Sequence, residues 1–254
     1  MKESNSISKV RLGILNFIDQ VYLINNNRVT SGKVEVGDGD VEALSYLEQS
    51  ITLLRSAGIE PMLVNAESLE FGDVRAAAEK SGMSDEDYVN TRAHYDAIVH
   101  AYTNGHRKIL ILDDNILLAN DFERMAAECM MLKEWDLFYL GFEKTGEQKP
   151  IRVTDSIYLG IDCAGSFAYG LSWKTIEWMA KYRTHKMTIR DWLSKYCAAK
   201  FMSTTFRSHK PLVIQDFDTI GGINEAMKKD WIVSYYKSRT NATDSVLHNT
   251  GNNE

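Results

Sequence analysis

Two carboxylates and a carboxamide, Asp113, Asp114 and Asn115, stand directly after four uninterrupted apolar residues, Ile109 to Leu112. An apolar run without alternation is what a strand requires when both its faces are covered, as in a parallel sheet between helices. Ligands of open α/β sheets collect at the carboxyl ends of the strands, so the three polar side chains are expected to open into a crevice there. Adjacent carboxylates repel each other unless a cation or hydrogen-bond donors offset the charge. A hard divalent ion, Mg²⁺ or Mn²⁺, shared with substrate phosphates is one such partner. The same residues also suit a solvated strand end that leads into a helix, because Asp and Asn both start helices well. Residue type and spacing leave both readings open.

The elements around this stretch can be read from periodicity. Phe17 to Asn25 holds a first strand with Val21 to Ile24 as its core, and Asn26 to Asp40 is a polar loop around Gly37-Asp38-Gly39. Apolar residues at 41, 44, 47, 51 and 54 predict a helix over Val41 to Ala57, with Gly58 as its C-cap. Pro61 to Val64 then completes a βαβ unit of a parallel sheet. Ser84-Asp85-Glu86-Asp87 starts a helix that runs to about Tyr102, ended by Asn104-Gly105. His94, Ala97 and Ala101 share one of its faces; the small alanines allow close packing on the sheet, and a histidine so placed reads on its own as structural. A helix over Asp121 to Lys133, a strand over Trp135 to Gly141 and a loop over 143–155 follow. Cys163 to Ser172 is small and aromatic, with glycines that allow close approach of a ligand or of backbone. Helices are expected over Trp173 to Tyr182 and Ile189 to Ala199, and a late strand over Leu212 to Gln215. The fold class is α/β. One domain over 17–237 is expected, with a flexible segment at 1–16 and a disordered polar tail at 238–254.

With 254 residues, 44% hydrophobic and 25% charged, the composition is that of an ordinary globular chain. The net charge of −6 and the absence of any basic stripe, Lys228-Lys229 being an isolated pair, argue against nucleic acid as a partner. Cys129, Cys163 and Cys197 are odd in number and far apart, without zinc spacing, so reduced packed thiols are expected. No signal-peptide pattern and no apolar run of membrane-spanning length occur, so a cytoplasmic chain, at most peripheral to a membrane, is expected and the sequon at Asn241 is discounted.

Taken in order, several stretches resemble glycosyltransferase family 25, the lipooligosaccharide and collagen-type galactosyltransferases with a GT-A fold. They are VYLINNNR (Val21–Arg28), AHYDAIVHAYTNGH (Ala93–His106), KILILDDNILLANDF (Lys108–Phe122), WDLFYLG (Trp135–Gly141), GSFAYGLS (Gly165–Ser172) and PLVIQ (Pro211–Gln215). The resemblance covers most of residues 18–224 and implies a GT-A-like, Rossmann-like mixed sheet, mainly parallel and flanked by helices.

It also implies a hexosyltransferase that moves galactose or glucose from a UDP-sugar to a hydroxyl of a glycan or glycosylated acceptor with inversion, as in lipopolysaccharide biosynthesis. A divalent cation, Mn²⁺ or Mg²⁺, with Asp113 and Asn115 as ligands, would then offset charge on the leaving UDP. Asn25, Arg28, His94, Asp113, Asp114 and Gln215 would face the donor nucleotide. Inversion needs a general base for the acceptor hydroxyl, for which Asp191 is the candidate and Asp216 the reserve; Asp191 reads equally as a charge at a helix N-terminus. Asn115 stands where the family carries an acid, Ala93 where it carries serine and Asn26 where it carries leucine. Asn binds cations without supplying charge, so a catalytically impaired nucleotide-sugar-binding homologue is an alternative. A second alternative is a receiver-like phosphoacceptor domain, which KILILDDN and Lys210-Pro211 resemble. The sugar, the acceptor and the oligomeric state are not encoded in any readable motif.

Overall fold

A computed structural model describes residues 14–26, 46–66, 71–119, 122–144, 150–182 and 187–215. Arg28, Asp216, the Gly37-Asp38-Gly39 turn and the tail at 238–254 lie outside them.

The strands are β1 (Gln20–Asn25), β2 (Met62–Asn65), β3 (Lys108–Asp113), β4 (Ile116–Leu118), β5 (Leu137–Lys144), β6 (Ile157–Leu159), β7 (Cys163–Ser172), β8 (Thr205–Ser208) and β9 (Val213–Gln215). The helices are α1 (Tyr46–Ser56), α2 (Phe71–Ser81), α3 (Asp85–Thr103), α4 (Phe122–Met130), α5 (Trp173–Lys181) and α6 (Ile189–Asp191). The last continues through a π-helical stretch, Trp192–Cys197, into Ala198–Lys200.

Among the described residues seven strands form one sheet in the order β2-β1-β3-β7-β5-β8-β6, and β4 with β9 forms a separate antiparallel pair. β1 is parallel to β2 and β3, β7 is antiparallel to β3 and β5, β8 is parallel to β5, and β6 is antiparallel to β8. Five of the seven therefore run one way. The α/β class and the mixed, mainly parallel sheet flanked by helices are as expected.

The unbroken apolar runs of β1 and β3 have the predicted cause. Val21, Leu23, Leu110 and Leu112 enter a core with Leu54 of α1, Phe122 of α4, Trp135 and Phe138. Tyr22, Ile24, Ile109 and Ile111 enter the opposite core with Ala93, Ala97 and Ala101 of α3, Ile176 of α5, and Trp192. Each fully buried aliphatic side chain contributes about 1.5–3 kcal/mol, so covering both faces outweighs the lack of alternation. Ser84 caps α3 by accepting from the Asp87 amide, and Gly105, at φ 71°, turns the chain from α3 into β3.

Several details differ from the periodicity reading. The 143–155 loop begins later, because β5 runs to Lys144 through register shifts at Gly141 and Glu143. The helix from 121 ends at Met130, short of Lys133. The glycine-containing stretch 163–172 is the longest of the described strands, and its glycines leave room for their neighbours: a Cβ on Gly165 would lie 3.1 Å from the Gly141 carbonyl oxygen, and one on Gly170 3.1 Å from the Trp135 ring. The late strand β9 joins β4 and stays out of the main sheet. α2, β4, β6 and β8 are too short or too weakly periodic to announce themselves.

Candidate functional site

Three parallel strands end side by side, with Ile24 beside Asp113 and Asn25 beside Asn65. Asp113 closes β3 on the side of Ile109 and Ile111, because side chains two apart share a face. That side is covered by α3, so the carboxylate meets His94: Nε2 lies 3.1 Å from Asp113 Oδ1. The other imidazole nitrogen, Nδ1, lies 3.0 Å from the hydroxyl of Tyr169 on β7. The two rings stack, 5.8 Å between centroids at 21°. Tyr169 reaches this point because it pairs with Ile111 on the adjacent strand, two residues before Asp113.

The second oxygen of Asp113 is met from the opposite direction. β4 begins two residues after Asp114, and its first residue, Ile116, is in register with Gln215. Gln215 is thereby set beside Asp113, and its Nε2 donates to Oδ2 at 3.3 Å. A carboxylate only accepts, so His94 donates through Nε2–H, its Nδ1 accepts, and Tyr169 donates O–H to it. Burial, with the Asp113 charge second, pushes the Tyr169 phenol well above its ordinary value, which keeps that donor proton in place.

The neighbouring groups are held with equal definition. Asp114 Oδ2 accepts from the backbone N–H of Asn26 at 2.9 Å, and the Asp114 carbonyl accepts from the Ser50 hydroxyl of α1 at 2.5 Å. Asn25 Nδ2 donates to Asn65 Oδ1 at 2.9 Å, on the exposed side of the strand ends. Asn115 is fully buried, and neither atom of its amide has a hydrogen-bond partner among the described residues.

The side chains expected to open into a crevice are buried: Asp113 is 1%, Asp114 3% and Asn115 0% exposed, and α3, β9 and the Asn26 backbone donate to the two carboxylates. Repulsion between the two carboxylates left two remedies, a cation or hydrogen-bond donors. Among the described residues Asp113 takes the second. Both Asp113 oxygens and Asp114 Oδ2 face N–H groups, whereas a hard cation requires such oxygens turned to itself at about 2.0–2.6 Å. Among the described residues no three His, Cys, Asp or Glu side chains form a group that could hold a metal ion. Of the two ligands expected for Mn²⁺ or Mg²⁺, Asp113 has both oxygens taken by N–H donors, whereas the buried Asn115 amide has no partner among the described residues.

Asp191 sits elsewhere, in the first turn of α6. Its backbone N–H donates to Thr188 Oγ1 at 3.2 Å, and its Oδ1 pairs with Lys195 Nζ at 3.1 Å on the surface. The same helix start is tied to α3 one turn before His94, where the Ile189 N–H donates to Thr91 Oγ1 at 3.0 Å. Of the sequence candidates, His94, Asp113 and Gln215 are joined directly, Asp114 and Asn25 flank them, and Asp191 is apart. Sequence reasoning passed over Tyr169, Ser50 and Asn65, and noted Asn26 only as a departure from the family. Tyr169 and Asn26 lay in stretches already singled out.

Among the described residues no helix is long and apolar enough to cross a membrane. No protein-family model matches the chain, and no curated protein matches it. Among solved structures, an inositol-1-phosphate CTP transferase from T. maritima aligns over 83% of this chain and 94% of its own, at 11% identity and a TM-score of 0.46. A glycosyltransferase involved in the glycosylation of the major capsid of PBCV-1 aligns over 83% and 97%, at 9% identity and 0.41. HddC from Yersinia pseudotuberculosis, complexed with GMP-PN, aligns over 77% and 93%, at 13% identity and 0.40. With TM-scores below 0.5, what the strand-end site does is decided by its own side chains.

Proposed function

We propose that this chain is a nucleotide-sugar-dependent hexosyltransferase of the family 25 type, taking galactose or glucose from a UDP-sugar to a hydroxyl of a glycan or glycosylated acceptor with inversion. One observation carries the reading. His94, Asp113, Tyr169 and Gln215 come from four of the separate stretches that resemble the family, and they form a single hydrogen-bonded chain at the end of β3. A resemblance scattered along 122 positions, 94 to 215, thus converges on one carboxylate at the place where open α/β sheets bind ligands.

In this reading the donor lies across the ends of β1, β2 and β3. Asn25 and Asn65 present amide groups for its uncharged hydrogen-bonding edges, and Arg28 meets its phosphates. The acceptor hydroxyl loses its proton to a carboxylate as its oxygen attacks the anomeric carbon. The bond from that carbon to the diphosphate breaks on the far side, and UDP leaves. Asp191, half-exposed and held among the described residues by Lys195 and its own helix turn, is the proposed base, with Asp216 in reserve. The burial of Asn115 and the occupied oxygens of Asp113 favour a second reading, a module that binds nucleotide sugar without turning it over.

Calorimetric titration with UDP, UDP-galactose and UDP-glucose, each with and without Mn²⁺, tests both readings. Binding followed by hydrolysis or transfer supports the transferase. Binding without turnover against a panel of glycan acceptors supports the module. No binding in any condition overturns both and returns the receiver alternative, which phosphorylation by a small phosphodonor would identify.

A further inference from the structure

Two tyrosines stand side by side on the α3 face of the sheet, and they differ in one respect. Tyr139 on β5 and Tyr169 on β7 are directly paired in register, and both are fully buried. The Tyr139 hydroxyl has no hydrogen-bond partner among the described residues, whereas the Tyr169 hydroxyl is spent on His94. We propose that Tyr169 is a positioning residue for the strand-end site: through the His94 imidazole, its hydroxyl fixes how the buried Asp113 carboxylate is held beneath the strand ends where the nucleotide is proposed to lie. The binding half of this inference rests on the donor-binding reading above; the link from Tyr169 to His94 stands independently of it.

The geometry supplies each step. An imidazole has two nitrogens and, when neutral, one proton, so the group facing one nitrogen decides what the other offers. Tyr169, kept protonated by burial, donates to Nδ1, and Nε2 is left as the donor to Asp113. The stack between the two rings holds the imidazole plane, so both the tautomer and its direction are set. Asp113 then has one oxygen held from the α3 side and the other by Gln215 from β9, which fixes rotation about its carboxyl group. Removing the Tyr169 hydroxyl leaves the Nδ1 lone pair buried without a donor, while Asp113 still holds the Nε2 proton, so the ring loses one of the two groups that set its direction. The Tyr139 hydroxyl and the Cys197 thiol also lie near Tyr169, and among the described residues neither is hydrogen-bonded to this chain.

The test pairs Tyr169→Phe with Tyr139→Phe, two equal deletions from neighbouring positions. Long-range ¹H–¹⁵N correlation of the histidine rings, with His94 assigned by its loss in His94→Gln, reads the tautomer directly. The wild type and Tyr139→Phe should show the Nε2–H form with a hydrogen-bonded Nδ1, and Tyr169→Phe the same tautomer with its Nδ1 resonance shifted to that of a nitrogen without a donor. In titration with UDP, Tyr169→Phe should bind about tenfold more weakly, the scale of one hydrogen bond to a charged group, and Tyr139→Phe should bind as the wild type does. In a His94→Gln background, where an amide donates to Asp113 without help, Tyr169→Phe should cost no further affinity. An Nδ1–H tautomer in the wild type, or an unchanged Nδ1 resonance and affinity in Tyr169→Phe, overturns the inference. A wild type that binds no UDP overturns the donor-binding reading instead, and the Nδ1 resonance then decides the link from Tyr169 to His94.

Discussion

Substitution of Asp113 separates the charge at the end of β3 from the packing around it. In Asp113→Ala the Nε2–H of His94 loses its acceptor inside a site that is 0% exposed, which costs about 1–3 kcal/mol. Gln215 is half-buried and its hydrogen bond is the longer, 3.3 Å against 3.1 Å, so its loss adds about 1 kcal/mol or less. The sum is about 1–4 kcal/mol. Asp113→Asn behaves differently for a reason visible in the contacts. The new carbonyl oxygen still accepts from His94, and the new amide nitrogen donates to Gln215 once that side chain turns its own amide over. Nearly every hydrogen bond survives, so the stability loss should stay within about 1 kcal/mol. Urea denaturation of the three proteins measures this order, and UDP titration of the folded Asp113→Asn protein then isolates the charge. Equal stability losses in the two variants, or none in Asp113→Ala, would refute the claim that N–H donors are what satisfies this carboxylate.

Three further outcomes are expected. Tyr22 Oη lies 3.0 Å from Nδ1 of both His100 and His106, and burial pushes its phenol up to about 12. An unfolded tyrosine loses its proton near 10, so the stability present below about pH 10 falls as pH rises to about 12, by about 1.4 kcal/mol per pH unit. Tyr139 and Tyr169 are raised too and act in the same direction, so the measurement is the smaller alkaline slope of Tyr22→Phe in urea melts; an unchanged slope contradicts the assignment. A Cβ on Gly141 would overlap Phe167 Cε2 and lie 2.9 Å from the Ala168 Cβ, so Gly141→Ala should lower stability by about 1–3 kcal/mol, seen as an earlier urea midpoint. Asp191 pairs with Lys195 at the surface, so Asp191→Asn should change stability by less than about 0.5 kcal/mol. As the proposed base its loss should slow transfer on the order of 10²- to 10⁴-fold, and a transfer rate equal to wild type would remove Asp191 from that role.

The local elements were legible along the chain because each is written in a local code. Unbroken apolar runs at 21–24 and 109–112 demand cover on both faces, Ser84 with its following acids starts α3, and Gly58 and Gly105 turn the chain at positive φ. From these the βαβ unit and the α/β class follow. The partnership at the site was of another kind. His94, Asp113, Tyr169 and Gln215 were in view as separate residues, and three of them as ligand-binding candidates, yet no spacing says that they touch one another. Tyr169 meets His94 only because β7 enters antiparallel beside β3, and Gln215 meets Asp113 only because β9 leaves the main sheet to pair with β4. The same packing decided how the acidic pair is neutralised. Charge repulsion between Asp113 and Asp114 can be read from adjacency alone, but whether a cation or N–H donors relieve it depends on what α3, β9 and the end of β1 bring to those oxygens. Propensity and periodicity are properties of neighbours in sequence. The environment of a buried carboxylate is a property of neighbours in space, and only the tertiary structure decides it.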